Sequence, residues 1–332
     1  MPALAAAAEA AAHPGDSAAH PGDSAAHPGD SAAPCSCRSG LLADRPDATV
    51  VRHAGAVAKA HAPDTDPAGL ALRTATAARL PGVLLPPLAP GPAPLHDRLV
   101  TLWPYGAPVD PDDPDAAPWE AAGTLLARLH RAPVPAGLPL MRGPAKAARA
   151  LDRLHAALRT APPDAPARSA ARPVLAAWSA LPAWARAAAP MPGPAALCHG
   201  DLHLGQLVRH PAPDGPWRLI DVDDLGAGVP AWDLARPAAW YACGLLPPAE
   251  WTRFLTAYRQ AGGPAVPADG DPWAALDVPA RALTVQTAAL ATGKALAAGR
   301  PLDEVEQAVA DACARMPSAP AHPAQSVPGI PG

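Results

Sequence analysis

His199-Gly200-Asp201-Leu202-His203-Leu204-Gly205-Gln206, followed by Leu219-Ile220-Asp221, is the stretch on which the reading of this chain turns. A carboxylate stands two residues past a histidine, and a carboxamide stands five residues past the carboxylate. That spacing has a chemical use in phosphoryl transfer. One loop can aim a carboxylate at an acceptor hydroxyl while a neutral amide oxygen, one loop-turn away, reaches a metal on the phosphates. Asp221 closes the next β-like run, where a carboxylate can bind the divalent ion that neutralises those phosphates. The order base, amide, metal carboxylate within one short segment carries more information than any of the three alone.

Outward from this segment, the pattern of the chain changes twice. Thr49–Arg52 and Ala56–Ala60 read as strands joined in hairpin fashion across His53-Ala54-Gly55, and Leu99–Trp103 reads as a third strand. Gly69–Leu80 between them predicts a short helix. After Pro104 the apolar spacing becomes helical over Trp119–Arg131, Ala145–Leu158, Glu250–Arg259, Ala280–Ala298 and Leu302–Met316. Ala196–Asp221 is a β-like island in that helical half, with Leu207–Arg209 and Trp217–Ile220 joined through Asp214-Gly215. Residues 11–31 repeat AAHPGDS three times, and each copy carries a helix-breaking Pro-Gly. The chain therefore divides into an unstructured repeat-containing tail over 1–38, a β-rich lobe over 39–103, a helical lobe over 104–316 and a Pro-rich tail over 317–332. The expected fold class is α+β and two-lobed, with nucleotide in the crevice.

Composition excludes several other classes. The net charge is −4 over 332 residues, and the chain up to Cys37 holds Glu9, Asp16, Asp23 and Asp30 with no Lys or Arg. The rest is balanced, so there is no electrostatic footprint for nucleic acid and no polybasic patch for a membrane. Five cysteines without framework spacing fit a reducing cytoplasm. Cys35-Ser36-Cys37 reads as a pair of solvated thiols, and His13, His20 and His27 of the repeat as incidental. No run of about 18 apolar residues predicts a transmembrane helix.

The loop is similar to the kinase catalytic loop H-R-D-L-x-x-x-N at its His, Asp, Leu and amide positions. With His199-Gly200-Asp201, Gln206, Ile220-Asp221 and the later Asp233-Leu234-Ala235, the chain resembles the aminoglycoside-phosphotransferase or choline-kinase-like family. Leu125–His130 is similar to that family's helix after the hinge. The resemblance implies a protein-kinase-like fold and transfer of the γ-phosphoryl group of ATP or GTP, with Mg²⁺, to a hydroxyl of a small molecule. It implies Asp201 as the base that accepts or orients the acceptor proton, Gln206 and Asp221 as Mg²⁺ ligands, and Lys59 on the α- and β-phosphates. His199 would stabilise the loop, and Asp233 would hold it from behind.

Three departures bear on turnover. Gln206 stands where Asn is commoner. No glycine-rich loop precedes Lys59, and Arg45-Pro46-Asp47 occupies the expected turn. The helix after Lys59 offers Arg73 and Arg79 but no acid, which leaves the lysine without an ion-pair partner unless Asp64 or Asp66 folds back. A second reading follows, a catalytically weak pseudokinase that binds nucleotide or ligand. A third uses His199, Asp201 and His203 as ligands of a hydrolytic metal.

Overall fold

The computed structural model describes residues 1–14, 37–45, 47–193 and 195–316. They fall into two compact units. One comprises Met1–Met141, Pro194–Asp233 and Thr252–Asp269; the other comprises Arg142–Gly193, Leu234–Trp251 and the chain from Gly270.

The first unit begins with helix α1 (Pro2–Ala12), then strands β1 (Ser39–Arg45), β2 (Ala48–His53) and β3 (Ala56–His61), helix α2 (Pro67–Arg79), and strands β4 (Ala93–Leu95) and β5 (Arg98–Pro104). The strands form an antiparallel sheet in the order β1-β2-β3-β5-β4. Its period-two alternation sets the two faces. Val51, Ala58, Ala60 and Val100 form a buried core with Leu4 and Ala8 of α1. Val50, Val57, Lys59 and His61 point the other way and line a cleft. The sheet is thus sealed on one face and chemical on the other.

The expectation of an unstructured stretch over 1–38 is corrected at its start. Residues 2–12 are helical because nothing but alanine and Glu9 follows Leu4 up to His13 and the first Pro-Gly. Leu4 and Ala8, one turn apart, supply enough apolar face to dock on small sheet residues. The rest of the repeat, and the Pro-rich stretch 317–332, lie outside the described residues.

The unit continues with a two-residue strand, β6 (Ala107–Pro108), and helix α3 (Trp119–Arg131). It resumes, after α4 (Gly143–Thr160) and α5 (Ala171–Ala180) of the other unit, with β7 (Ala196–Cys198), β8 (Leu207–Arg209), β9 (Trp217–Leu219) and β10 (Gly226–Gly228). β8 and β9 form the hairpin expected through Asp214-Gly215, in the register Leu207↔Leu219. β7 pairs with β10.

Helix α6 (Ala235–Ala242) belongs to the second unit. Helix α7 (Pro248–Gln260) contributes its residues from Thr252 onward to the first, and α8 (Trp273–Ala298) and α9 (Glu304–Arg315) belong to the second. There α8 is the central element, packed by α4, α6 and α9. It starts before Pro279 rather than after it, so Pro279 lies inside the helix. A proline forfeits one backbone bond, yet Pro279 is buried with Leu276, Ala280 and Leu283. Asp303 caps α9 in a reciprocal capping box with Glu306.

Mixed α and β structure, with a small antiparallel sheet and a larger helical part, is the α+β class expected. Leu4 tests the docking of α1. Leu4→Ala should cost about 2–3 kcal/mol, the low end for a buried leucine, read as a shift of the urea midpoint. An unchanged midpoint would mean that α1 adds nothing to the sheet.

Candidate active site

Lys59 sits on the cleft face of β3, two residues before His61, so both side chains emerge on one side of the sheet. Its ammonium lies 2.7 Å from Asp221 Oδ1 and 3.0 Å from Asp223 Oδ2. His61 Nε2 meets Thr101 Oγ1 at 2.8 Å, and its Nδ1 lies 3.2 Å from Asp223 Oδ1. The missing acidic partner of the lysine is therefore present, and it comes from the segment after β9. Asp66 does not fold back; it caps α2 by accepting from the backbone of Ala68 and Gly69. On α2, buried Arg73 donates instead to the Leu225 carbonyl, at 2.8 Å. That bond ties the helix to the same acidic segment.

Asp221 adopts φ 63 and ψ 78, a left-handed conformation uncommon for a residue with a side chain, though Asp tolerates it better than most. A short 3₁₀ turn over Val222–Asp224 follows, and it brings Asp223 to the same side as Asp221. Gln206 Nε2 lies 3.4 Å from Asp221 Oδ2. The backbone N–H of Ile220 donates to the Gln206 carbonyl, so the amide and the acid are coupled through the main chain. Lys59, Gln206 and Asp221 thus converge as the sequence predicts, joined by Asp223 and His61. In sequence Asp223 is one of two adjacent acids just past Asp221, and His61 carries no signal beyond its place two residues past Lys59.

Asp201 lies in the loop between β7 and β8, half-buried, between His199 and Gln206. The loop around it is held tightly. Asp233, almost fully buried, accepts from the backbone N–H of His199 at 2.6 Å and of Gly200 at 2.7 Å. His130 Nε2 of α3 lies 3.0 Å from the same carboxylate, and its Nδ1 lies 2.8 Å from Tyr258 Oη of α7. His199 Nε2 donates to the Ile220 carbonyl at 2.8 Å, which spends the imidazole on structure. Gly200 has φ +85, and a Cβ there would meet the Asp224 carbonyl oxygen at 2.5 Å, so only glycine fits. Among the described residues, His199, Asp201 and His203 form no metal cluster, which removes the hydrolytic-metal reading.

The cleft has a volume of about 420 Å³. Lys59, His61, Gln206, Asp221 and Asp223 occupy its polar end. Its other walls are apolar and include Val57, Leu85, Trp103 and Ile220. Asp201 is not among the residues that line the cleft; it stands on the loop that leads to Gln206.

Charge here follows one cation. Burial would raise the carboxylates of Asp221 and Asp223, but the Lys59 ammonium beside them reverses the sign and holds both below their ordinary 3.8. Burial also works against the charge of Lys59, and the two carboxylates outweigh it, so its pKa rises above 10.5.

Residues 48–276 match the model of the phosphotransferase enzyme family. The chain belongs to that family, whose members transfer phosphoryl groups to small molecules. No curated protein matches the sequence. Among solved structures, the chain is similar to a spectinomycin phosphotransferase in complex with ADP and spectinomycin. The TM-score is 0.56 at 13% identity, over 83% of this chain and 87% of that one. It is also similar to an aminoglycoside phosphotransferase in ternary complex with AMP-PNP and hygromycin B, with TM-score 0.54 at 14% identity over 84% and 94% of the two chains. A choline/ethanolamine kinase family protein from Mesorhizobium loti gives a TM-score of 0.51 at 19% identity over 83% and 85%. At these identities the likeness is one of fold, and the fold is kinase-like. Among the described residues, no helix is long and apolar enough to cross a membrane.

Two measurements test this geometry. Asp233→Asn puts an amide where two backbone donors need an acceptor, and should cost about 3 kcal/mol in urea unfolding; a cost below about 1 kcal/mol would show that the loop does not depend on that carboxylate. The second is the acid limb of stability. Depressed carboxylates contribute stability that is complete above the unfolded value near 3.8 and is lost as pH falls through their lower folded values. In Lys59→Met the depressing charge beside Asp221 is gone, and burial raises that acid above its unfolded value. The folded state then takes up protons first. The melting temperature of the variant should rise between about pH 7 and pH 4, where the wild type is flat. Parallel curves would mean that Lys59 does not govern the pair.

Proposed function

We propose that the protein transfers the γ-phosphoryl group of ATP or GTP, as its Mg²⁺ complex, to a hydroxyl of a small molecule. The observation that carries this reading is the convergence of Lys59, Gln206 and Asp221 at one end of an otherwise apolar cleft. Asp201 lies on the loop that delivers Gln206. In this reading residues 39–103 form the nucleotide-side lobe and 104–316 the lobe that carries the catalytic loop. The nucleotide supply makes the cytoplasm the compartment of the reaction.

The donor set fits a hard divalent cation. Asp221 and Asp223 offer carboxylate oxygens and Gln206 an amide oxygen, the ligand class that magnesium takes. Which way the Gln206 amide faces follows its neighbours, so the end that now donates to Asp221 can turn. Bound there, the ion neutralises charge on the phosphates. The protein's own residues do the rest. Lys59 binds the α- and β-phosphates. Asp201 takes the acceptor's proton as its oxygen bonds to the γ-phosphorus, and the bond to the β-phosphate oxygen breaks. Asp233, His130 and Tyr258 keep the loop in register, since transfer of this kind rests mainly on positioning. One structural neighbour is in complex with ADP and spectinomycin and another with AMP-PNP and hygromycin B, which supports an adenine nucleotide and a small-molecule acceptor. The argument for a weak binding module loses its main support, because Lys59 has two acidic partners.

Asp201 and Asp221 should fail in different ways. General-base assistance contributes about 10²–10⁴-fold, so Asp201→Asn should lose most turnover while calorimetry still shows near-normal binding of Mg²⁺-nucleotide. Asp221→Asn should lose the Mg²⁺ dependence of that binding together with turnover. Retention of Mg²⁺-dependent binding in Asp221→Asn would transfer the metal role to Asp223. Absence of Mg²⁺-nucleotide binding by the wild type would end the kinase reading.

A further inference from the structure

The face of the sheet opposite the cleft carries a second group of ligands that phosphoryl transfer does not use. His13 closes α1, Cys37 precedes β1 and His53 ends β2. One ligand atom from each lies within 4.8 Å of the other two. We propose that these three side chains bind a divalent transition metal of the zinc class, which clasps α1 and the start of β1 to the back of the sheet.

The chemistry of the set is selective. Two imidazoles and a thiolate suit zinc and its neighbours and are poor ligands for magnesium or calcium. The geometry is close to that of a bound site. A tetrahedral zinc holds its N and S ligands about 3.4–3.8 Å apart, from bond lengths of about 2.0–2.3 Å. Closing from 4.8 Å asks for a shift of about an ångström, and the two ligands that must move are the less buried ones, His13 and Cys37. The rings of His13 and His53 stand 5.5 Å apart at their centres with an interplanar angle of 82°. Two imidazoles on one tetrahedral ion have centres roughly 5 Å apart, given the same metal–nitrogen length.

His53 is already prepared as a ligand. It is 3% exposed, and its Nδ1 lies 2.9 Å from Ser39 Oγ. With that hydroxyl accepting from Nδ1–H, Nε2 becomes the ligating nitrogen, and a hydrogen bond of this kind fixes ring and tautomer in metal sites. Edge-to-face packing of two histidines accounts for the ring contact alone. It gives no reason for a cysteine at the third corner or for a hydroxyl behind the buried ring. Water fills the fourth position. The ion would join the two ends of a stretch that runs from His13 to Cys37, and would oppose undocking of Leu4 and Ala8 from the sheet.

Cobalt(II) is the probe, because a thiolate ligand gives it a near-ultraviolet charge-transfer band that oxygen ligands at Asp221 cannot produce. Full-length protein, reduced and metal-free, should take up one cobalt with that band, lose it to one equivalent of zinc, and melt at higher temperature with zinc than with a chelator. Cys37→Ser should abolish the band, and Cys35→Ser should keep it. His13→Ala should weaken uptake at least tenfold without unfolding the sheet, and Ser39→Ala should weaken it by about tenfold. No band in the wild type overturns the proposal. So does a band that survives Cys37→Ser or that disappears in Cys35→Ser. Each of these readouts is independent of phosphoryl transfer.

Discussion

One ammonium ties the small sheet to the acidic segment after β9. Lys59 stands 162 residues from Asp221 in sequence, and it is the cation between Asp221 and Asp223. Everything around it follows from keeping that contact. β3 must present Lys59 and His61 on the same face, so both the sheet register and the alternation of small apolar residues behind them are constrained. Asp221 must take a left-handed backbone to turn its carboxylate, and the 3₁₀ turn after it must bring Asp223 alongside. Backbone strain of this kind persists only where the surroundings over-determine it. Here the surroundings are Lys59 on one side and Gln206 on the other.

The loop with Asp201 depends on a different carboxylate. Asp233 is a hub that accepts from two backbone N–H groups of the loop and meets His130, and His130 is anchored in turn by Tyr258. The Tyr258 hydroxyl also accepts from the Ala265 backbone, and burial pushes its pKa well up, so it stays a neutral phenol. Gly123 lets α3 and α7 approach closely enough for the chain of contacts to form, since a Cβ there would meet the Phe254 carbonyl oxygen at 2.3 Å. A buried network pays for itself only when every member is satisfied. Here a histidine can bridge a carboxylate and a phenol, because its two ring nitrogens serve different partners.

How much of this was legible in sequence varied with the range of the interaction. The loop from His199 to Gln206 and the strand ending at Asp221 were readable because their chemistry is local: a turn, a hairpin and fixed spacings. The strands around Lys59 were readable for the same reason. The partner of Lys59 was sought on the next helix, since only nearby acids can be matched by spacing. Asp66 proved to be a helix cap, and the true partners lay beyond six other strands. Helix α1 was hidden for a different reason. A run of alanine with one leucine has almost no amphipathic signal, and its docking depends on the small side chains of Ala58 and Ala60, which leave room for a close helix. Pro279 misled by a rule that holds on average, because tertiary burial outweighed the lost backbone bond.

The charge balance of the cleft bears on what it is built to receive. Two carboxylates share one ammonium, and His61 Nδ1 approaches Asp223 from the sheet side, at 3.2 Å. The side chain of Asp221 is 36% exposed, so part of its charge is met by water on the cleft side. A structural ion pair would be better served by a single acid, because each additional partly buried charge carries a desolvation cost. The second acid therefore needs another reason. Excess negative potential at the polar end of an apolar cleft favours a cation arriving from solvent. In the proposed reaction a nucleotide that brings a divalent ion would supply that cation and, with its phosphates, a new partner for Lys59. The same arrangement that stabilises the ligand-free protein is then the one from which the ligand can take over each charge in turn, with no group left unpaired.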